Sequence, residues 1–167
     1  MIDDRARVRA IFAAGVEAAD PQAAVERHLA DVADEPALII AVGKAAIAMA
    51  RAAMAAFPTA KVLVVTNYEN AQRLDGAEVF ASGHPVPDAA GAKAAKAVIA
   101  ALSTTDGPVL ALISGGGSAL LPAPVDGVSL EEKARVNQVL LGAGLDIVAM
   151  NLVRQQLSDL KGGGFLR

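Results

Sequence analysis

The sequence predicts an α/β fold: a Rossmann-like, doubly wound parallel sheet in three αβα layers, preceded by an N-terminal helical arm. Short apolar runs without polar alternation recur along the chain, as expected of parallel strands that are buried on both faces. Longer segments between them place apolar residues at the 3.6-residue period of helices. The chain has 167 residues, 54% of them hydrophobic, which is enough for one domain with a substantial core.

The helical arm is predicted at residues 1–30. An apolar stripe with helical spacing marks its first helix, formed by Val8, Ile11, Phe12 and Val16. Asp20 and Pro21 then supply the N-cap and the first position of a second, short helix.

Four strands are predicted after the arm, at 37–42, 61–66, 77–81 and 109–113. A helical pattern follows the first strand and another follows the third, and Asp88 stands where the latter helix would be capped. In a doubly wound sheet with strand order 3-2-1-4, the first and fourth strands would end side by side at the point where the winding reverses.

A glycine-rich loop follows the fourth predicted strand, with residues Ser114, Gly115, Gly116, Gly117 and Ser118. Three glycines let the backbone approach a ligand closely and adopt positive φ, so that successive N–H groups converge on an anion with two hydroxyls beside them. A tight turn selected only for packing is the alternative, although one glycine would suffice for that. The loop is not a dinucleotide fingerprint, because a leucine takes the third glycine position.

Lys44 follows the first predicted strand and opens the next helix, where the helix dipole disfavours a cation. Beside the glycine loop, its ammonium group would suit a transferring phosphoryl group. A solvated surface lysine is the alternative. Gly43 and Lys44 do not form a P-loop, because Ala45 stands where a hydroxyl would bind magnesium.

His84 lies in a proline-stiffened loop at the end of the third predicted strand. Prolines fix where the side chains of such a loop point, so His84 could bind an anion or carry a proton. A hydrogen bond from His84 to the backbone is the alternative, and for Asp88 the helix cap is the preferred interpretation.

A capping box at 129–132 predicts one further helix, and Asp146 opens another that is predicted to run to the glycines at 162–164. One face of this last helix would carry four polar residues, Asn151, Arg154, Ser158 and Lys161. Two cations and two hydrogen-bonding groups could recognise phosphate or carboxylate, whereas a solvated outer face would show the same pattern.

The composition argues against several classes of protein. Cysteine is absent and only two histidines occur, which excludes thiolate metal sites, thiol nucleophiles and disulfides, and no metal-ligating residue is assigned. The net charge of −3, the lack of Lys/Arg runs and the 3% aromatic content argue against nucleic-acid partners. No apolar run reaches the roughly 18 residues of a membrane span, and no secretory signal is recognised at the start of the chain. We therefore expect a cytoplasmic protein without a membrane partner.

Four segments together resemble the glycerate 2-kinase family of the MOFRL type, some of whose members carry the older name hydroxypyruvate reductase. The matching stretches are VGKAAIAMA at 42–50, SGHPVPDAAG at 82–91, LISGGGSALLPAPVDGVSLEEK at 112–133 and NLVRQQLSDLKGGG at 151–164. Their order and spacing cover most of the chain after residue 36, which makes the resemblance specific.

The resemblance implies phosphoryl transfer from ATP to the 2-hydroxyl of D-glycerate, giving 2-phosphoglycerate, with magnesium required. It also implies two α/β domains, the larger N-terminal one Rossmann-like, with the small-molecule substrate and the nucleotide bound in the cleft between them. Lys44 matches the family's catalytic lysine, and the loop at 114–118 would lie at the substrate and phosphate site. Arg154 and Lys161 become stronger candidates than their spacing alone made them.

Members of that family are more than twice as long as this chain. Residues 1–167 would then be the N-terminal part of the larger domain, truncated before a downstream catalytic arginine and the second domain. Residues 1–167 would form only one side of the cleft and should have little or no activity, because phosphoryl transfer depends on charges assembled around the γ-phosphate. Apolar surface exposed by the missing parts makes a homodimer plausible.

Two other functions are compatible with the residues. A nicotinamide-dependent hydroxypyruvate reductase is disfavoured, because no G-x-G-x-x-G follows the first strand and the second strand ends in Thr66 and Asn67 without an acid. A non-catalytic module that binds sugar phosphates is the third possibility, since a glycine-rich turn can bind an anion without transforming it.

Overall fold

Four parallel strands form the central sheet of the structure, a computed structural model that describes residues 3–166. They are β1 (Leu38–Val42), β2 (Lys61–Asn67), β3 (Ala77–Ser82) and β4 (Val109–Ile113), in the order β3-β2-β1-β4. The predicted order is confirmed, and each predicted strand is matched to within one residue at its ends. Met1, Ile2 and Arg167, which the predicted arm and domain boundaries include, lie outside the described residues.

Seven helices accompany the sheet in residues 3–166. Their bounds are α1 (Asp4–Ala18), α2 (Pro21–His28), α3 (Ala46–Ala56), α4 (Ala89–Thr104), α5 (Gly117–Leu120), α6 (Leu130–Gly142) and α7 (Ile147–Gln156). Short 3-10 turns occur at Leu29–Asp31, Tyr68–Asn70 and Gly164–Leu166.

Helices cover both faces of the sheet, which gives the predicted three layers. Side chains alternate along a strand, so Ile39 and Ala41 of β1 pack toward α3, while Ile40 and Val42 pack toward α4 and α5. Both faces of β1 are therefore buried, and the strand has no polar position. This explains why β1 shows an apolar run rather than an alternating pattern.

The helical arm forms where it was predicted, but its apolar stripe is not buried. Asp20 caps α2 by accepting a hydrogen bond from the Ala23 N–H at 2.8 Å, and Pro21 is the first residue of that helix. The four stripe residues of α1 are exposed, with Phe12 at 73% relative accessibility. Helical spacing predicted the helix correctly because periodicity reports a local preference. It does not specify what covers the apolar face, so the exposure of that face could not be predicted.

The last helix is shorter than predicted. α7 begins at the Asp146 N-cap as expected but ends at Gln156, so Ser158 and Lys161 are not part of it. The chain leaves the helix because the Asp159 N–H donates to the Ala123 carbonyl at 3.0 Å and Leu160 is buried in the core beside α4. These long-range contacts outweigh the local helical pattern.

The helices differ from membrane-spanning segments. Within residues 3–166, none of them combines the length and the apolar character needed to cross a bilayer.

Candidate anion-binding site

The ends of β1 and β4 lie side by side at the carboxyl edge of the sheet. Val42 pairs with Ile113 in parallel register, so the segments that follow each strand start as neighbours. α3 and α4 cover opposite faces, which makes this the point where the winding reverses. Open α/β sheets bind ligands in the crevice at such a point.

Backbone and hydroxyl hydrogen bonds join the two segments directly. The Lys44 N–H donates to the Gly115 carbonyl at 2.9 Å, and the Ser114 N–H donates to the Val42 carbonyl at 2.8 Å. Ser114 Oγ accepts from the Ala45 N–H at 3.1 Å and donates to the Val42 carbonyl at 3.3 Å. Ser114 is therefore a structural link between the segments, and its hydroxyl is engaged by the protein.

Lys44 lies in the turn between β1 and α3, because α3 begins at Ala46 rather than at Lys44 as predicted. Its side chain is exposed. A Cβ built on Gly116 would lie 3.4 Å from Lys44 Cγ and 3.2 Å from His84 Cδ2. The structure thus brings the lysine, the histidine and the middle of the glycine loop together.

The glycine loop leaves its backbone donors free. Of its three glycines, only Gly116 has a left-handed backbone, with φ of 95°. Within residues 3–166, no protein group accepts a hydrogen bond from the N–H of Gly115, Gly116 or Gly117. These N–H groups can therefore donate to a ligand, which is the property that an anion-binding loop requires.

Sequence reasoning missed a polar cluster at the end of β2. Asn70 Nδ2 donates to the Lys44 carbonyl at 3.0 Å and to Asn67 Oδ1 at 2.9 Å, and Asn67 in turn donates to Glu69. Hydrogen bonds from its own backbone and from Asn67, together with the electrostatic influence of the nearby His84 and Lys44 side chains, lower the pKa of Glu69. The position of these residues just after a buried strand beside β1 was the signal that could have identified them.

Ser118 is the centre of a second group of side chains. Arg154 Nη2 donates to Ser118 Oγ at 2.8 Å, and Lys161 Nζ donates to the same hydroxyl and to the Ser118 carbonyl at 3.3 Å. Asn151 contacts Arg154 at 3.4 Å. The prediction that the four polar residues share one helix face is wrong, because α7 ends before Ser158 and Lys161. Lys161 reaches Ser118 from the turn after α7, and Ser158 is buried.

Lys133 joins this second group and was not identified from the sequence. It lies in the first turn of α6, where its Nζ donates to the Leu157 carbonyl at 2.6 Å. Burial, and then the charge of Arg154, lower the pKa of Lys133. A lysine in the first turn of a helix is disfavoured by the helix dipole, and this was the available sequence signal.

Asp88 fixes the loop that carries His84. Its carboxylate accepts from Tyr68 Oη at 2.6 Å and, as the N-cap of α4, from the Gly91 N–H at 2.8 Å, which confirms the cap interpretation. Burial acts to raise the pKa of Asp88, but these hydrogen bonds outweigh it and hold the pKa below its usual value.

Replacing Asp88 with alanine should lower the free energy of unfolding by about 1 to 2 kcal/mol at pH 7. A lowered pKa means that the ionised carboxylate stabilises the fold above its unfolded pKa of about 4, and that this contribution is lost as pH falls through the folded value. Urea denaturation at pH 7 and pH 3 checks both statements. Asp106→Ala, at an exposed position, is the matched control; an equal loss in both variants would contradict the role of Asp88.

Comparisons with known proteins place this chain in a family. A family model described as a domain of unknown function, DUF4147, matches residues 7–167. A D-glycerate 2-kinase of Thermotoga maritima is 39% identical over 155 residues, which cover 90% of this chain and 37% of that protein. A protein of Agrobacterium vitis provisionally named hydroxypyruvate reductase is 41% identical over 170 residues, or 99% of this chain and 39% of that protein.

A solved structure of a similar protein shows the same fold. The crystal structure of a glycerate kinase from Thermotoga maritima superposes with a TM-score of 0.85 at 39% identity, covering 90% of this chain and 37% of that one. The chain thus spans about two fifths of the length of the relatives that it matches. It belongs to the DUF4147 family, the N-terminal domain family of the glycerate 2-kinases.

Proposed function

We propose that this chain is the N-terminal portion of a glycerate 2-kinase, which transfers the γ-phosphoryl group of ATP to the 2-hydroxyl of D-glycerate. One observation carries the proposal: the side chains of Lys44 and His84 both lie next to Gly116, at the point where the winding of the sheet reverses. Relatives named glycerate 2-kinase, with 39% identity in both Thermotoga maritima and Pyrococcus horikoshii, support it.

Lys44 and the glycine loop would stabilise the transferred group. In the reaction, the 2-oxygen of glycerate forms a bond to the γ-phosphorus, the bond to the bridging oxygen of ADP breaks, and the hydroxyl proton is released. Charge on the phosphoryl oxygens must be held during this step, and catalysis is mainly positioning and electrostatic. The Lys44 ammonium would supply a positive charge, and the N–H groups of Gly115, Gly116 and Gly117, which no protein group in residues 3–166 accepts from, would supply hydrogen-bond donors.

His84 and the group around Ser118 would bind and orient the reactants. The half-buried His84 ring lies on the same side of Gly116 as Lys44, where it can donate to an anion. Arg154 and Lys161, held by Ser118, offer charged donors next to the loop. Asn151 contacts Arg154 and would help to orient its guanidinium group.

Magnesium accompanies ATP in reactions of this class. Within residues 3–166, no three His, Cys, Asp or Glu side chains cluster in a way that could hold a metal ion. The described residues therefore do not fit a dedicated magnesium site. Their contribution to the reaction is the positive charge and the hydrogen-bond donors given above.

The substrate cleft would need a second domain to form its other side. Because the chain spans about two fifths of its relatives, we propose that it forms one side of a two-domain cleft and has little activity alone.

A coupled assay of ADP formation tests the proposed function. The full-length gene product should form ADP with ATP and D-glycerate, and more slowly with L-glycerate or tartronate, while residues 1–167 alone should give a rate near background. Hydroxypyruvate with NADH is the control for a reductase. Hydroxypyruvate-dependent NADH oxidation without ADP formation would contradict the kinase, and absence of both activities would favour a non-catalytic binding module.

A further inference from the structure

We propose that Lys133, Arg154 and Lys161 form an oxyanion subsite around Ser118, in a pocket that these cations line together and that is not the pocket lined by Lys44. The three cations come from different parts of the chain: the first turn of α6, the last turn of α7, and the turn that follows α7. The subsite therefore exists only in the folded chain.

Direct contacts fix the geometry of this subsite. Arg154 Nη2 lies 2.8 Å from Ser118 Oγ, and Lys161 Nζ contacts the hydroxyl and the carbonyl of Ser118. Lys133 Nζ is held at 2.6 Å by the Leu157 carbonyl. Each cation keeps further N–H donors that these contacts do not use, because an ammonium group has three and a guanidinium group has five.

The charges of the three cations are not balanced by the protein. Within residues 3–166, the ion pairs are His28 with Asp31 and Arg73 with Asp75, so none of the three cations has a carboxylate within 4.0 Å. Like charges that are partly removed from water repel one another more strongly than at a free surface. A bound anion would relieve this repulsion.

The pKa of Lys161 responds first to burial and then to the neighbouring cations. Burial, followed by the charges of Arg154 and Lys133, lowers the pKa of Lys161 to about 8. Asp159 acts on Lys133 in the opposite direction but is outweighed there by burial. An anion placed among the three cations would favour protonated Lys161, so binding should be coupled to proton uptake.

The pocket in front of these cations is small, partly enclosed and mostly apolar. Its cavity volume is about 40 Å³, and no carboxylate among the described residues lines it. Pro85, Pro87 and Leu130 form part of its wall beside the cations. This size and lining suit a small oxyanion group, either the carboxylate of a hydroxy acid or a phosphoryl group.

The choice of ligands rests on the proposed function, whereas the existence of the subsite does not. Glycerate offers a carboxylate and the nucleotide offers phosphate, and both are oxyanions that Arg and Lys recognise. Sulfate serves as a probe for the phosphoryl group, because it does not titrate between pH 7 and pH 9. D-Glycerate is the probe for the carboxylate.

Two-dimensional NMR titrations of the 167-residue chain at constant ionic strength provide the test. At least one probe should shift the backbone signals of Ser118 and Lys161, and the stronger probe identifies the class of oxyanion. Lys133→Met and Lys161→Met should each weaken binding about tenfold, while Lys96→Met, at an exposed site on α4, should leave it unchanged. Retained chemical-shift dispersion elsewhere shows that each variant is folded.

The pH dependence supplies an independent readout. Binding to the wild-type chain should weaken about tenfold from pH 7 to pH 9, because Lys161 loses its proton as pH rises through about 8. Lys161→Met should remove this dependence. No shift with either probe, or equal binding in Lys133→Met and wild type, would overturn the subsite.

The subsite and the proposed function can fail separately. Lys44→Met should leave binding at Ser118 intact even if it abolishes turnover. A subsite that binds its probe in a protein without kinase activity would refute the proposed function alone.

Discussion

Replacing Lys44 with methionine should lower the kcat of the full-length protein with ATP and D-glycerate by about 10²-fold to 10³-fold. The stem of the Lys44 side chain lies beside Gly116, and methionine keeps this aliphatic stem while removing the charge. The loss should appear in kcat more than in KM, because the charge of the phosphoryl oxygens changes most in the transition state. Steady-state kinetics at saturating ATP and D-glycerate measure it.

The free energy of unfolding distinguishes a loss of catalysis in Lys44→Met from misfolding. The Lys44 side chain is exposed, so Lys44→Met should change the free energy of unfolding by less than about 0.5 kcal/mol. Lys96→Met, on the exposed side of α4, should change neither kcat nor stability. Unchanged turnover in Lys44→Met would remove this lysine from the chemistry.

Gly43→Ala should lower the free energy of unfolding by about 2 to 4 kcal/mol. Gly43 has φ of 123°, which a residue with a Cβ rarely adopts. A Cβ there would lie 2.1 Å from Ser114 Oγ and 2.6 Å from the Ser114 carbonyl oxygen. The segments that follow β1 and β4, which Ser114 links, would therefore have to move apart. Urea denaturation of the 167-residue chain measures the loss.

Gly15→Ala is the matched control for this variant. Gly15 lies inside α1, where an added methyl group would meet no atom within 4 Å, and alanine is the better helix former. The free energy of unfolding of this variant should stay the same as in wild type or rise by up to about 1 kcal/mol. Equal effects in the two variants would show that the contact between Gly43 and Ser114 does not hold the site together.

The sheet could be predicted well because its signals are local. β1 and β2 are apolar runs buried on both faces, and Asp20, Asp88 and Ser129 each cap a helix that begins where they stand. Caps and apolar runs act over a few residues, so they are visible in the sequence. The strand order followed from the general topology of doubly wound sheets.

The candidate site was predicted only in part. Lys44 lies beside the glycine loop as expected, His84 also lies there although its proximity was not predicted, and Arg154 and Lys161 reach Ser118. Their predicted origin on one helix face was wrong. Lys133 acts through Leu157 and Arg154, which are distant in sequence, so only its unfavourable position in the first turn of a helix marked it. Glu69 was missed although its largest influences, its own backbone and Asn67, are local.

The sequence by itself determined the strands, the starts of the helices that a side chain caps, and the positions of the glycines. Only the tertiary structure decided that α7 stops at Gln156, because the chain after it buries Leu160 in the core and donates the Asp159 N–H to the Ala123 carbonyl. The same turn carries Lys161 to Ser118, where it meets Arg154 and faces the pocket that Lys133 also lines. Unbalanced charge in a pocket is a property of three-dimensional proximity, because Coulomb energy depends on distance in space and not along the chain.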